Sequence, residues 1–185
     1  MNAAESAMRI GSCLDEDGIP YGVGGALALG AWGAPRATKD VDLTVFVDER
    51  ELPRVLDSLE RAGVMVDRAG AIKDVARIGL FKGRLGRIAV DVFMLGHPQY
   101  EDMAKRVQRL DGDGLKLSVI SAEDLAIHKL VFGRPKDVAD LERLLAVRRE
   151  LDVGYVRSWL ERMVPAGDRR LAILADLERR FASTP

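Results

Sequence analysis

Gly24-Gly25-Ala26-Leu27-Ala28-Leu29-Gly30, followed after five residues by Arg36-Ala37-Thr38-Lys39-Asp40-Val41-Asp42-Leu43, is the stretch on which the fold turns. Tyr21-Gly22-Val23 before it reads as a short buried strand, stopped by the two glycines. Ala26 to Trp32 is rich in Ala and Leu and reads as a short buried helix, closed by Gly33 and Pro35. Val41 to Val47 is β-branched and apolar except for Asp42 and Thr44, which predicts a central strand carrying a carboxylate. Asp40 and Asp42 are two residues apart at the start of that strand, so they point to one face. Two carboxylates on one face repel unless a cation sits between them. Oxygen-only ligands favour Mg²⁺ or Mn²⁺ over Zn²⁺.

Working outward, a third acid, Asp91, stands in the apolar run Ile88-Ala89-Val90-Asp91-Val92-Phe93-Met94. A carboxylate there is costly unless it is paired or bound to metal. If its strand lies beside the Asp40–Asp42 strand, three carboxylates converge on a two-metal site suited to in-line phosphoryl displacement. Gly24-Gly25, between strand and helix, permits close approach of a phosphate to the backbone. Each feature alone has a plainer explanation: a turn, a solvated strand edge, an Asp paired with an Arg. The three in this order point to chemistry.

The rest of the chain predicts a mixed α/β (α+β) protein. Residues 3–17 and 49–62 read as helices, and Val64–Asp67, Val75–Phe81 and Arg87–Leu95 as strands. Lys82 to Gly86 reads as a hairpin turn, 98–107 as a helix, Asp111 to Gly114 as a turn and Leu115–Val119 as a last strand. Helices alone follow. One is capped by Ser121 and runs to Phe132, and others span Val138–Arg149, 152–163 and 168–181. Early strands and late helices imply a mixed central sheet flanked by helices, with a helical C-terminal part. The division read from this is a core over 1–120 and a helical subdomain over 121–185.

Composition agrees with one compact chain. It has 185 residues, 48% hydrophobic and 31% charged, with a formal net charge of −1. That balance excludes wholesale coating of nucleic acid. It hides an uneven spread: residues 1–67 hold 6 basic and 12 acidic side chains, residues 68–116 hold 10 and 6. The run Arg68, Lys73, Arg77, Lys82, Arg84, Arg87 either grips an RNA backbone or keeps an edge hairpin soluble. A single cysteine, Cys13, excludes an internal disulfide and fits a cytoplasmic setting. No apolar run approaches a membrane span, and the N-terminus lacks the pattern of a secretory signal.

Gly24-Gly25, Asp40/Asp42 and Asp91, in this order, resemble the DNA polymerase β-like nucleotidyltransferase superfamily. The narrower pattern, with Gly30, Arg36, Thr38 and Leu43, is similar to the minimal nucleotidyltransferases and the AbiEii-type toxins. Many members have serine where this chain has Gly25, so phosphate binding here would rest on backbone N–H groups. A second stretch, Glu123 to Leu130 and then Arg134-Pro135-Lys136-Asp137-Val138-Ala139-Asp140-Leu141, is similar to the AbiEii-type helix pair. The resemblance implies a nucleotidyltransferase fold and transfer of a nucleoside monophosphate from a nucleoside triphosphate to an acceptor hydroxyl. It implies two Mg²⁺ (or Mn²⁺) on Asp40, Asp42 and Asp91, with Asp91 also helping to deprotonate the acceptor. Phosphates would meet Gly24, Gly25 and Lys129, with Asp137 assisting. Asp137 and Asp140 are equally well explained as first-turn helix residues. Arg36 and Lys39, around Thr38, either bind phosphate or neutralise the acid pair. The implied acceptor is an RNA such as tRNA, in a toxin that has a cognate antitoxin. A small antibiotic-type acceptor, or a silent nucleotide-binding domain, are the alternatives.

Overall fold

The computed structural model describes residues 1–94, 96–112 and 115–182. They fall into two compact units. One holds residues 1–28 with 37–120, the other residues 29–36 with the chain from Ser121 onward.

The first unit is built on a seven-stranded sheet of β1 (Tyr21–Val23), β2 (Asp40–Val45), β3 (Met65–Val66), β4 (Leu80–Leu85), β5 (Ile88–Phe93), β6 (Gln108–Gly112) and β7 (Leu115–Val119). The strand order is β3-β4-β5-β2-β1-β7-β6. β2 runs parallel to β5 and β1 parallel to β7, and the other pairs are antiparallel. Its helices are α1 (Ala3–Glu16), α3 (Leu52–Arg61), α4 (Arg68–Ile78) and α5 (Pro98–Arg106). α2 (Gly25–Ala31) begins in this unit and ends in the other.

Strand alternation creates one dry face and one open face. Val41, Leu43, Val45, Val90, Val92, Phe81 and Leu85 are buried. The residues between them on β4, β5 and β2 include Lys82, Arg84, Ala89, Asp91, Asp40 and Asp42, all exposed or half-buried. Apolar stripes of α1 (Ile10, Leu14) and α3 (Val55, Leu56, Leu59) complete the core.

In this unit three expectations from the sequence are corrected. Residues 75–78, read as part of a strand, form the last turn of α4. Asp67 caps its start by accepting from the Gly70 N–H, and Gly79, at φ 63°, ends it. Ala71 and Val75 are buried four residues apart, the helical spacing, so caps and packing outweigh the β-branched composition. The turn read at 82–86 is shorter: Lys82 to Leu85 belong to β4, and Leu85 pairs with Ile88 around Gly86 and Arg87. Gly86 has φ 61°, which suits glycine in a two-residue hairpin turn. The turn read at 111–114 begins inside β6, while Asp113 and Gly114 lie outside the described residues. β6 shows no apolar alternation because it is a polar edge strand.

The second unit packs α6 (Ala122–Phe132), α7 (Pro135–Val147), α8 (Val153–Met163) and α9 (Arg169–Ala182). α7 starts at Pro135, three residues before the expected Val138. Proline suits a first helical position, where its missing N–H costs nothing. α6 is buried nearly all round, and α7, α8 and α9 pack against it. Ser121 caps it as expected, accepting from the Asp124 N–H at 3.1 Å and donating to Asp124 Oδ2 at 2.6 Å. The Tyr155 hydroxyl donates to Asp124 Oδ1 at 3.0 Å.

His128 lies on α6 with its Nε2 buried. Burial, and then the neighbouring Lys129 charge, push its imidazole down from 6.5 to about 4. The unfolded chain therefore takes up a proton near 6.5 while the folded protein resists until about 4. Stability is intact above pH 6.5 and declines as pH falls through that window. Thermal melts from pH 7 to pH 4.5 are expected to show this decline, and His128→Leu should flatten it.

Candidate active site

β2 and β5 lie side by side in parallel, with Asp42 opposite Asp91 and Asp40 opposite Ala89. Partners across a ladder share a face, so Asp40, Asp42 and Asp91 all belong to the open face, on strands about 4.8 Å apart. Asp40 is exposed, and Asp42 and Asp91 are half-buried. The entry to β2 is fixed locally. The Asp40 N–H donates to Thr38 Oγ1 at 3.2 Å, and the Ala89 N–H donates to the Lys39 carbonyl at 3.2 Å. Thr38 is thus a strand-start cap. The exposed Lys39 side chain has no hydrogen-bond or ion-pair partner among the described residues.

Gly24 and Gly25 adjoin the acid pair from the β1 side. The Gly24 N–H donates to the Asp42 carbonyl at 2.8 Å. Gly25 opens α2 with φ 56°, and a Cβ there would fall 1.7 Å from Asp42 Oδ2. The Asp42 carboxylate occupies the space that any side chain at 25 would need. Glycine is therefore required twice, by the backbone angle and by the carboxylate.

All three acids offer only carboxylate oxygens, a donor set that fits Mg²⁺ or Mn²⁺. The sheet brings their strands together without gathering the side chains into a cage. Among the described residues, no group of three or more His, Cys, Asp or Glu stands arranged to hold a metal ion. Asp91 is instead engaged by Lys82, opposite it on β4, whose Nζ lies 3.1 Å from Oδ1 and 3.0 Å from Oδ2. Sequence reasoning placed Lys82 in a turn and missed this pair. A two-residue turn at 86–87 would have predicted it, since that register sets 82 opposite 91.

Arg36, Lys129 and Asp137 belong to a different assembly, inside the second unit. The Arg36 Nε lies 2.9 Å from Asp140 Oδ1, and its Nη2 lies 3.1 Å from Oδ2. Lys129 Nζ donates to Asp140 Oδ2 at 2.8 Å and Asp137 Oδ1 at 3.4 Å. Arg134 Nε reaches Asp137 Oδ2 at 2.6 Å, and its backbone N–H reaches the same oxygen at 3.2 Å. The Asp137 and Asp140 side chains are only 0% and 1% exposed, and that of Lys129 is 7% exposed. Burial pushes both carboxyls up, but Arg134 and Lys129 at Asp137, and Arg36 and Lys129 at Asp140, outweigh it and hold both below the usual range. Asp140, which the sequence offered only as a helix-start residue, is the hub. Its separation from Arg36 by 104 positions explains why no local pattern marked it as the hub.

A family model described as "Nucleotidyltransferase of unknown function (DUF6036)" matches residues 22–178. No curated protein matches the sequence. Among solved structures, the chain is similar to the antibiotic-resistance factor ANT(2'')-Ia, at 15% identity and a TM-score of 0.56, covering 99% of this chain and 96% of that one. It is similar to the lincosamide antibiotic adenylyltransferase LnuA in its lincomycin-bound form, at 13% identity and a TM-score of 0.57, covering 79% and 98%. An antigenic nucleotidyltransferase-like protein from Paracoccidioides brasiliensis gives 18% identity and a TM-score of 0.56, covering 97% and 88%. At these identities the likeness concerns the fold.

Two outcomes follow from this geometry. Gly25→Ala should displace Asp42 and abolish nucleotide binding measured by calorimetry, while circular dichroism keeps its helix and strand signal. Asp140→Ala leaves Lys129 buried with a weakened partner set, and denaturant titration should show a loss of about 3–5 kcal/mol.

Proposed function

The chain belongs to the DUF6036 nucleotidyltransferase family, and from that premise we propose a divalent-metal-dependent transfer of a nucleoside monophosphate to an acceptor hydroxyl. The observation that carries this reading is the in-register pairing of Asp42 with Asp91 beside Asp40, with Gly25 pressed against Asp42. The glycine pair admits the phosphates of a nucleoside triphosphate to the backbone next to the acids. Asp40, Asp42 and Asp91 are the residues that would hold two Mg²⁺, or Mn²⁺. When bound, such ions neutralise charge on the transferred phosphoryl group and its leaving group.

The remaining steps fall to the chain's own groups. Asp91 accepts the proton of the acceptor hydroxyl. The acceptor oxygen forms its bond to the α-phosphorus, and the bond to the β-phosphate bridging oxygen breaks. Pyrophosphate leaves with that electron pair. Lys39, exposed beside Asp40, is available to the phosphates. The resemblance would give Lys129 a phosphate contact and Asp137 an assisting role, and within the second unit the Lys129 ammonium is shared between two carboxylates.

For the acceptor, the motif resemblance supports an RNA such as tRNA, and with it a toxin role and an antitoxin partner. A second reading is a small antibiotic-type acceptor. It is favoured by the fold likeness to the lincosamide antibiotic adenylyltransferase, over 79% of this chain, and to ANT(2'')-Ia solved with adenylyl-2''-tobramycin, over 94%. No described helix is long and apolar enough to cross a membrane.

Incubation with α-labelled nucleoside triphosphates, Mg²⁺ and total RNA tests the reading. Label should enter RNA with release of pyrophosphate, and label on small molecules alone would favour the second acceptor. Asp40→Ala is expected to bring transfer to background under either acceptor. Retention of full transfer in that variant would overturn the metal assignment.

A further inference from the structure

The open face of the sheet is not uniform across its width. On the β1 side of the carboxylates lies the glycine pair. On the other side lie β5, β4 and β3. The ladders set Lys82, Asp91 and Asp42 in one row, and Met65, Arg84, Ala89 and Asp40 in the next. Residues within a row share a face, so Lys82, Arg84 and Met65 flank the acids on the side away from Gly24-Gly25. Arg84 stands two strands from Asp40, about 10 Å at the usual strand spacing. The small side chain of Ala89 is all that lies between them in the row.

Arg84 and Arg87 are exposed and have no hydrogen-bond or ion-pair partner among the described residues. The Lys82 side chain is 70% exposed, and among the described residues its hydrogen-bond and ion-pair partner is Asp91. Met65, at 66%, is among the most exposed large apolar residues described. β4 therefore offers unspent positive charge at Arg84, and β3 an apolar side chain at Met65, on the face that carries the three acids.

In-line displacement gives this asymmetry a meaning. The nucleophile must approach the α-phosphorus opposite the leaving group. With the leaving pyrophosphate toward Gly24-Gly25, the acceptor comes over β5 and β4. Beyond Asp91, the side chains awaiting it there are the cationic Lys82 and Arg84. A polycationic acceptor would meet like charge, whereas an anionic one is drawn in and held.

We propose that the acceptor carries a phosphate group, and that Arg84 and Lys82 bind it on the β4 side of the carboxylates. This rests on the nucleotidyltransferase reading above and names the substrate class for it. Arginine suits the task, since its planar fork matches phosphate oxygens. The phosphate belongs either to an RNA strand or to a small phosphorylated molecule, and the test separates the two.

The test compares the wild-type protein, Arg84→Glu, and Lys116→Glu as a control on β7, at the far side of the sheet. Three probes are used: a fluorescein-labelled single-stranded RNA oligonucleotide followed by anisotropy, glycerol 3-phosphate followed by calorimetry, and Mg²⁺-ATP followed by calorimetry. Arg84→Glu is expected to weaken RNA binding about tenfold. It should also reduce the slope of log affinity against log salt by about 0.7, the loss of one phosphate contact on a single strand. Lys116→Glu should change neither, and Mg²⁺-ATP should bind all three proteins alike. If Arg84→Glu loses glycerol 3-phosphate and keeps RNA, the phosphate-bearing acceptor stands and is a small molecule. Equal binding of both probes by wild type and Arg84→Glu, with Mg²⁺-ATP still bound, would overturn this inference and leave the transferase reading intact. Failure of the wild-type protein to bind Mg²⁺-ATP would overturn both.

Discussion

Everything at the candidate site depends on the parallel pairing of β2 with β5 in one register. Asp42 opposite Asp91 places two negative charges side by side on a sheet, an arrangement that destabilises when nothing offsets it. The protein does not escape by slipping the register. A shift of one residue would turn Val90 and Val92 out of the core and bring Asp91 into it. The hydrophobic face thus holds the carboxylates where electrostatics alone would not. Stability comes from the buried valines, and the charge repulsion is compensated locally by Lys82 across the next ladder.

The same logic explains what was legible in the sequence. A strand with apolar alternation and a carboxylate out of phase is visible at once, so β2, β5 and their three acids could be read directly. The two glycines were readable as a close approach, although only the structure shows that the approaching group is Asp42 itself. What escaped was set by non-local or capping effects. α4 was hidden because Val75 and Ile78 favour strands in isolation, while Asp67, Gly79 and four-residue burial spacing decide for helix. β6 was hidden because an edge strand with two wet faces has no apolar pattern to display. The hub role of Asp140 was hidden because it rests on Arg36, more than a hundred positions away.

The second unit answers a different problem. α6 is almost wholly buried yet carries Asp124 and Lys129. Each is satisfied by partners from the unit: Ser121 and Tyr155 for Asp124, Asp137 and Asp140 for Lys129. A buried ion cluster of this kind adds little net stability over an apolar core, because desolvation offsets the attraction. An ammonium between two carboxylates, each also held by an arginine, tolerates few alternative packings of α6 against α7.

The two ion systems differ in a way that matters for chemistry. Lys129, Asp137 and Asp140 are buried, so removing any one leaves the remaining charges with a weakened partner set in a poorly polarisable interior. Their arrangement is therefore fixed. Lys82 and Asp91 lie at the surface of the open face, where water screens the pair and its worth is about 0–1 kcal/mol. That pair can be exchanged at small cost for other partners of Asp91 and Lys82. The near-zero net charge of the whole chain conceals this arrangement. Along β4, β5 and β2, the cations Lys82 and Arg84 stand on one strand and the acids Asp91, Asp40 and Asp42 on the next two.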